Sequence, residues 1–167
     1  MSKYIVTQNV ADCIGCKACE VHCKDKNDPG EGAYFCKMME VESNSGKVPS
    51  RDFVYMACFH CEKPWCVDAC PTGAMQRREK DGIVFVQESL CVGCKACIIA
   101  CPWGVPQWKA STGKVDKCDL CKDRIDKGLE PACVTKCTTN CLTFSEVEEV
   151  SDSRRQDFAQ QLMQNRK

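Results

Sequence analysis

The chain has 167 residues, which fits one compact domain or two small ones, and 18 of them are cysteine. Its 23 basic and 23 acidic side chains cancel, so the formal net charge is zero. This balance argues against a nucleic-acid-binding protein and against a protein held on an anionic membrane surface. No stretch approaches the roughly 18 apolar residues of a membrane span, so we expect no direct membrane insertion.

The cysteine content requires crosslinks, either disulfides or metal centres. The N-terminus, MSKYIVTQNVADC, has neither an apolar run of secretory length nor a twin arginine. We therefore expect a cytoplasmic protein, in a compartment where disulfide frameworks are rare. The alternative is a periplasmic protein that is exported while bound to a signal-bearing partner.

The first motif in chain order, CIGCKACEVHC at residues 13–23, has the form C-x2-C-x2-C-x3-C. It recurs as CVGCKACIIAC at residues 91–101, where seven of the eleven positions are identical. The cysteines form four sets: Cys13, Cys16, Cys19 and Cys23; Cys58, Cys61, Cys66 and Cys70; Cys91, Cys94, Cys97 and Cys101; and Cys118, Cys121, Cys133 and Cys137. Cys36 and Cys141 stand outside these sets, and we expect both to be buried free thiols.

Thiols at this spacing are typical of iron rather than zinc. A zinc site is normally closed by two separated cysteine pairs, so the middle thiol of C-x2-C-x2-C would be redundant. A 4Fe-4S cluster takes three ligands from one tight loop and its fourth from elsewhere, as in the bacterial ferredoxin motif. The spacing therefore predicts four 4Fe-4S clusters with all sixteen grouped cysteines as iron ligands, and zinc and disulfides remain as alternatives.

Short strands and turns are predicted between the motifs. Segments 33–42 and 52–56 can pair across the turn residues SNSGKVPS. A turn at residues 80–82 precedes the strand-like run IVFV, and LTF at residues 142–144 is a further strand candidate.

A helix of about three turns is predicted from Ser151 onward, with an apolar stripe of Phe158, Ala159, Leu162 and Met163. The stripe either packs on its own chain or binds a partner, and the sequence leaves both possibilities open.

An internal repeat organises the chain. The first motif repeats as the third, while the second and fourth share C-x2-C, a wider gap and then C-x3-C. This pattern predicts an α+β fold that duplicates a bacterial two-cluster ferredoxin, small and loop-rich, and held together by its iron–sulfur clusters.

The motifs of such a ferredoxin work in pairs, because the fourth cysteine of each run ligates the other cluster. The pairing is either first with second and third with fourth, or second with third nested inside first with fourth. A connection of only 20 residues between the second and third motifs favours nesting. We therefore expect a first two-cluster lobe formed by residues 1–49 with 108–145, an inserted two-cluster lobe at 50–107, and a helical tail at 146–167.

Two segments carry a family resemblance: CFHCEKPWCVDACPTGA at residues 58–74 and CDLCKDRIDKGLEPACVTKC at residues 118–137. With them the chain resembles the four-cluster electron-transfer subunits of molybdenum and tungsten pterin enzymes. These include the iron–sulfur subunits of dimethyl sulfoxide reductase, formate dehydrogenase and nitrate reductase, and the small soluble type that accompanies tungsten aldehyde oxidoreductases. The resemblance runs from Cys13 to about Phe144.

The resemblance also implies how the ligands are shared. Cys13, Cys16 and Cys19 would hold one cluster with Cys137; Cys118, Cys121 and Cys133 a second with Cys23; Cys58, Cys61 and Cys66 a third with Cys101; and Cys91, Cys94 and Cys97 a fourth with Cys70. In that order the clusters would form a wire, with the first of them nearest the catalytic partner.

The implied function is electron transfer to or from a catalytic oxidoreductase subunit, without catalytic residues in this chain. The favoured partner is a tungsten or molybdenum pterin enzyme, an aldehyde or formate oxidoreductase. The alternatives are a hydrogenase or CO dehydrogenase partner, or a free diffusible polyferredoxin. A further redox subunit or a soluble ferredoxin would be a second partner.

Five aromatic or imidazole side chains lie in or near the motifs. We expect His22 and His60 to pack or to donate an N–H to sulfur, since cysteine already fills every ligand position. Trp65, Trp103 and Trp108 are predicted to be buried core that shields the clusters.

Overall fold

The structure, a computed structural model, describes residues 2–43 and 48–164. Within these ranges the chain forms short helices and four antiparallel sheets of two strands each. The predicted α+β, loop-rich fold is therefore confirmed. Long loops between these short elements carry most of the cysteines.

Each strand in the described ranges pairs with one other strand. The strands are β1 (Tyr4–Gln8), β2 (Lys37–Ser43), β3 (Ser50–Met56), β4 (Met75–Arg77), β5 (Val84–Val86), β6 (Gln107–Lys109), β7 (Lys114–Asp116) and β8 (Leu142–Glu146). β1 pairs with β8, and the other six form the hairpins β2–β3, β4–β5 and β6–β7.

The α-helices in the described ranges are short except for the first and the last. They are α1 (Ala18–Asn27), α2 (Trp65–Asp68), α3 (Ala96–Ala100), α4 (Lys122–Ile125), α5 (Ala132–Thr135) and α6 (Val147–Gln164). α1 lies against α5, and α2 lies against α3. The first and fourth motifs therefore meet at one helix pair, and the second and third meet at the other.

β1 and β8 join the two ends of the motif-bearing region. Tyr4 lies opposite Glu146, and the hydroxyl groups of Thr7 and Thr143 are 2.7 Å apart across the pair. The strand predicted at LTF is confirmed, because it forms the first part of β8.

The predicted pairing of segments 33–42 and 52–56 is confirmed by the β2–β3 hairpin, in which Lys37 lies opposite Met56. The strand begins at Lys37, so residues 33–36 precede it. Of the predicted turn SNSGKVPS, residues 44–47 lie outside the described residues.

Two apolar cores lie within the described part of the chain. The first consists of Cys19, Cys23, Phe35, Cys36, Met38, Cys133, Val134, Cys141 and Leu142, and the second of Met75, Val84, Cys97 and Val115. The first core joins cysteines of the first and fourth motifs, while cysteines of the second and third motifs border the second core. Five of the nine residues of the first core are cysteines, and the second core contains Cys97 with Cys66, Cys70 and Cys91 packed against it.

Two glycines allow the repeated motif to turn tightly. Gly15 and Gly93 have φ values of +67° and +69°, which are in the left-handed region that a side chain disfavours. A Cβ atom on Gly15 would overlap the Phe53 ring, and one on Gly93 would overlap the carbonyl oxygen of Gly113. Both positions therefore exclude a side chain for two independent reasons.

The C-terminal helix is longer than predicted. α6 begins at Val147 rather than at Ser151, and it continues directly from β8 over 18 residues. Phe158, Leu162 and Met163 are more than half exposed. The possibility that the apolar stripe packs on its own chain is therefore wrong in this structure.

Candidate functional site

The sixteen predicted iron ligands line four cavities. Cavity I is lined by Cys13, Cys16, Cys19 and Cys137; cavity II by Cys23, Cys118, Cys121 and Cys133; cavity III by Cys58, Cys61, Cys66 and Cys101; and cavity IV by Cys70, Cys91, Cys94 and Cys97. All 18 cysteines are free thiols. The structure brings the members of each predicted set to one cavity, and their ligation of iron stays a prediction.

The helix pair α1 and α5 serves cavities I and II together. Cys19 and Cys23 are one helical turn apart on α1, and Cys19 lines cavity I while Cys23 lines cavity II. On the other side of the pair, Cys133 on α5 lines cavity II, and Cys137, just after α5, lines cavity I. The last cysteine of each run thus belongs to the neighbouring cavity.

The pair α2 and α3 repeats this exchange in the second core. Cys66 on α2 lines cavity III, and Cys70, just after the helix, lines cavity IV. Cys97 on α3 lines cavity IV, and Cys101 at its end lines cavity III. The two halves of the protein therefore use the same local arrangement.

Burial keeps several of these thiols protonated. It raises the pKa of Cys66 and of Cys97 to about 11, and that of Cys133 to about 12. A coordinating metal ion reverses this tendency, because it displaces the thiol proton and supplies the positive charge that the apolar surroundings lack. The donor set therefore fits soft, thiolate-binding iron.

Backbone N–H groups point at other sulfurs of the set. Met75 N donates to Cys70 Sγ at 3.4 Å, and Val115 N donates to Cys91 Sγ at 3.5 Å. Burial alone would raise the pKa of Cys70, but the N–H of Met75 and the hydroxyl of Thr72 outweigh it and lower that pKa. Such donors stabilise a thiolate and, in an iron–sulfur site, raise the reduction potential.

Cys36, predicted to be a buried free thiol, lies between cavities I and II. Its side chain is only 2% exposed, and its Sγ donates to the carbonyl oxygen of Cys19 at 3.5 Å. Hydrogen bonds to Cys19 and Cys23 raise the pKa of Cys36 and lower those of the two partners. Cys36 is therefore a protonated donor to the thiols of both cavities.

Cys141 is also buried, as predicted, but it lies closer to the site than the sequence indicated. It lines cavity I, and its Sγ is 3.5 Å from Cys137 Sγ. Burial raises the pKa of Cys141 to about 12, so it stays a thiol and donates to Cys137. The four-residue spacing of the two cysteines was the available signal for this contact.

Of the two histidines, His60 is the one that is buried at the site. Its ring is 2% exposed and lines cavity II, where Nδ1 accepts the N–H of Val84 at 3.0 Å. Burial holds the pKa of His60 well below its usual value, with Lys117 adding to the effect, so the imidazole is neutral and carries its proton on Nε2. Packing is confirmed for His60, and Nε2 has no hydrogen-bond partner among the described residues.

The tryptophan prediction needs correction. Trp65 is 55% exposed and Trp103 is 49% exposed, so neither is core. Trp103 stacks edge-on with Phe59 at 5.1 Å between ring centres, and both line cavity III at its rim. Trp108 is half-buried, with the ammonium of Lys95 4.0 Å from its ring centre. Trp108 packs against the second core, as predicted, whereas Trp103 lines cavity III while about half exposed, and spacing alone does not distinguish the two positions.

Lys117 is the functional candidate that sequence reasoning missed. It directly precedes Cys118, and it lines cavity III with an exposed fraction of only 2%. A lysine beside a motif normally indicates a solvated position, and no pattern in the sequence marks this one as buried.

Comparison with known sequences identifies the cofactor of this chain. Residues 49–147 and residues 12–74 each match a 4Fe-4S dicluster domain, and together the two matches include all sixteen grouped cysteines. The chain therefore carries four 4Fe-4S clusters, and the zinc alternative is set aside.

Several curated proteins resemble the chain over most of its length. It is 40% identical over 146 residues to the B subunit of the anaerobic dimethyl sulfoxide reductase of Escherichia coli, covering 83% of this chain and 71% of the relative. Against the thiosulfate reductase electron transfer subunit PhsB of Salmonella typhi the identity is 41% over 151 residues, covering 89% and 78%. The nitrate-inducible formate dehydrogenase iron–sulfur subunit of E. coli is 33% identical over 169 residues, covering 90% and 57%.

No helix in residues 2–43 and 48–164 has the length and apolar character needed to cross a membrane.

Proposed function

The chain belongs to the family of iron–sulfur subunits that includes the B subunit of dimethyl sulfoxide reductase and the formate dehydrogenase iron–sulfur subunit, and from this we propose that it conducts electrons to or from a catalytic oxidoreductase subunit. The observation that carries the proposal is the division of sixteen thiols among four adjoining cavities. A 4Fe-4S cluster supplies a one-electron redox centre at each of them.

We propose these ligand sets: Cys13, Cys16, Cys19 and Cys137 in cavity I; Cys23, Cys118, Cys121 and Cys133 in cavity II; Cys58, Cys61, Cys66 and Cys101 in cavity III; and Cys70, Cys91, Cys94 and Cys97 in cavity IV. The cavities adjoin in that order. α1 and α5 serve cavities I and II, Cys58 lines both II and III, and α2 and α3 serve III and IV. We place the catalytic partner nearest cavity I.

The lobes follow the same division. We propose residues 1–49 with 108–145 as the lobe of cavities I and II, residues 50–107 as the inserted lobe of cavities III and IV, and residues 146–167 as the tail. Both boundaries of the insert fall inside hairpins, because β2 pairs with β3 and β6 pairs with β7. The lobes are thus hydrogen-bonded to each other at both crossings.

The chain itself is proposed to be non-catalytic. In the proposed ligand sets every iron is bound by a cysteine, so no iron has an open coordination position for a substrate. The side chains around the cavities instead hold thiolates, exclude water and present donors, which are the means by which a protein sets a redox potential.

The proposed partner is a molybdenum or tungsten pterin enzyme, an aldehyde or formate oxidoreductase. The relative named as a formate dehydrogenase subunit supports the second of these activities. A further redox subunit or a soluble ferredoxin would complete the electron path. We place the complex in the cytoplasm, where thiols outside the ligand sets such as Cys36 and Cys141 stay reduced, with export alongside a signal-bearing partner as the alternative to test by cell fractionation.

Purification of the native complex without oxygen tests this function. We expect about sixteen irons per chain, from four clusters of four, together with a co-purifying subunit that contains molybdenum or tungsten. A chain that elutes alone with all its iron would favour a free polyferredoxin. A nickel-containing partner would favour a hydrogenase or CO dehydrogenase, and stoichiometric zinc would overturn the proposal.

A further inference from the structure

Lys117 has the largest side chain among the most deeply buried residues of the described chain. It lies between β7 and the fourth cysteine motif, where the first lobe meets the second. Its side chain lines cavity III, and its ammonium group contacts Cys58 and Val84, which both belong to the proposed inserted lobe.

The contacts of the ammonium come from three separate parts of the chain. Nζ donates to the carbonyl oxygen of Cys118 at 2.7 Å, to the carbonyl oxygen of Val84, and to Cys58 Sγ at 3.4 Å. None of these contacts is a carboxylate. The neighbouring acid, Asp116, accepts the backbone N–H of Lys117 and not its ammonium.

A buried ammonium needs a compensating negative charge, since carbonyl dipoles alone do not repay its loss of hydration. His60, whose Nδ1 accepts the N–H of Val84 at this junction, cannot supply that charge, because an imidazole is either neutral or positive. Among the contacts of Nζ, only Cys58 can carry a negative charge, as a thiolate. The negative charge that compensates Lys117 therefore comes from the thiolate of Cys58 at the site in cavity III.

We infer that Lys117 is a positioning residue that raises the reduction potential of the centre in cavity III above the value the thiols alone would give. The inference rests on the ligand sets proposed above. A cation held in a medium of low polarity stabilises whichever redox state is more negative, and that is the reduced state. Lys117 lines cavity III and its ammonium contacts the sulfur of Cys58, whereas it meets the cavity II ligand Cys118 only through a carbonyl oxygen, so we expect the larger effect on the centre in cavity III.

Lys17 provides a matched comparison within the same molecule. It lines cavity I, but its side chain is 50% exposed, and its ammonium is 3.5 Å from the carboxylate of Glu40. Water and the carboxylate screen this charge, so its removal should matter far less. The pair Lys117→Met and Lys17→Met therefore separates a buried cation from an exposed one.

The experiment is a redox titration of the complete, four-cluster protein, followed by electron paramagnetic resonance. In Lys117→Met and Lys117→Gln we expect one midpoint potential to fall by at least about 59 mV. This shift corresponds to a tenfold decrease in the equilibrium constant for one-electron reduction. The iron content should stay at the wild-type value. Lys17→Met should shift no midpoint by a comparable amount, including that of the centre in cavity I.

The shifted signal is assigned by comparison with a Cys61→Ser variant, which should perturb the same signal. Unchanged midpoints with full iron content, loss of iron in both Lys117 variants, or a shift confined to the signal perturbed by Cys121→Ser would each overturn the inference. Failure of the proposed function would be seen separately, as a chain that purifies with all its iron but without a catalytic subunit, whereas the midpoint of the cavity III centre can be measured with or without that subunit.

Discussion

The hydroxyl of Tyr55 donates a hydrogen bond to Cys133 Sγ, 3.2 Å away, across 78 residues of sequence. Burial raises the pKa of Tyr55 well above its usual value, so the phenol keeps the proton that it donates. β3 thus reaches from the hairpin into the wall of cavity II.

Tyr55→Phe removes this donor and almost nothing else, because the ring stays in place. A neutral hydrogen bond contributes about 1 kcal/mol, roughly 40 mV for one electron, and it favours the more negative reduced state. We expect the midpoint of the cavity II centre to fall by that order, with full iron content. An unchanged set of four midpoints in a redox titration would contradict the assigned role.

Cys70→Ser tests the exchange of cysteines between neighbouring cavities. We expect the iron content to fall from about sixteen to about twelve, with loss of the centre held by Cys91, Cys94 and Cys97. Iron analysis and the resonance spectrum measure the loss. Cys36→Ser, which alters no proposed ligand, is the matched control and should keep all its iron. Loss of the signal that Cys61→Ser perturbs would instead assign Cys70 to cavity III.

Cys141→Ala separates a hydrogen-bond donor from an iron ligand. Cavity I already has four proposed ligands, and the sulfur of Cys141 is 3.5 Å from Cys137 Sγ, so we expect Cys141 to donate a hydrogen bond to that sulfur rather than to bind iron. The variant should keep about sixteen irons. The midpoint of the cavity I centre should fall slightly, and a loss of about four irons would show that Cys141 is a ligand.

Gly93→Ala should destabilise the protein more than Gly113→Ala does. Both glycines have positive φ, so each substitution costs about 1 kcal/mol or more in backbone strain. A Cβ atom at Gly93 also overlaps the carbonyl oxygen of Gly113, whereas a Cβ atom at Gly113 has no neighbour within 4 Å. Thermal unfolding of the cluster-loaded proteins measures the difference, and equal midpoints would contradict the packing argument.

The exposed apolar stripe on α6 is tested by substituting Phe158 and Leu162 with serine. Every side chain described from Ser151 to Gln164 is exposed, so the iron content should not change. If the stripe binds the catalytic subunit, as we expect, that subunit should no longer co-purify. Replacement of Gln160 and Gln161 by serine is the control and should retain it; loss of the subunit in both variants, or in neither, would argue against the stripe.

Sequence reasoning grouped the cysteines into four motifs because ligand spacing is a local property, whereas the exchange of one cysteine between distant motifs was expected from the family resemblance. The same holds for the β2–β3 hairpin and for the strand-like run IVFV, most of which forms β5, whereas the pairing of β4 with β5 was not predicted. The burial of Lys117 could not be predicted from the sequence, because it depends on Val84 and Cys58, which only the folded chain brings close to it. The predicted burial of Trp65 and Trp103 was wrong for a related reason. An aromatic ring beside a motif has the same sequence signature whether it faces inward or lies at a rim.

The antiparallel pairing of β1 with β8 bears on the order in which the protein can be completed during synthesis. The first lobe draws on the fourth motif and on β8, so it stays open until the ribosome has made residues 142–146. The inserted lobe has all eight of its proposed ligands once Cys101 has emerged. With the proposed ligand sets, the half of the molecule translated first is therefore the half finished last, and we expect cavities III and IV to be able to receive their clusters before cavities I and II.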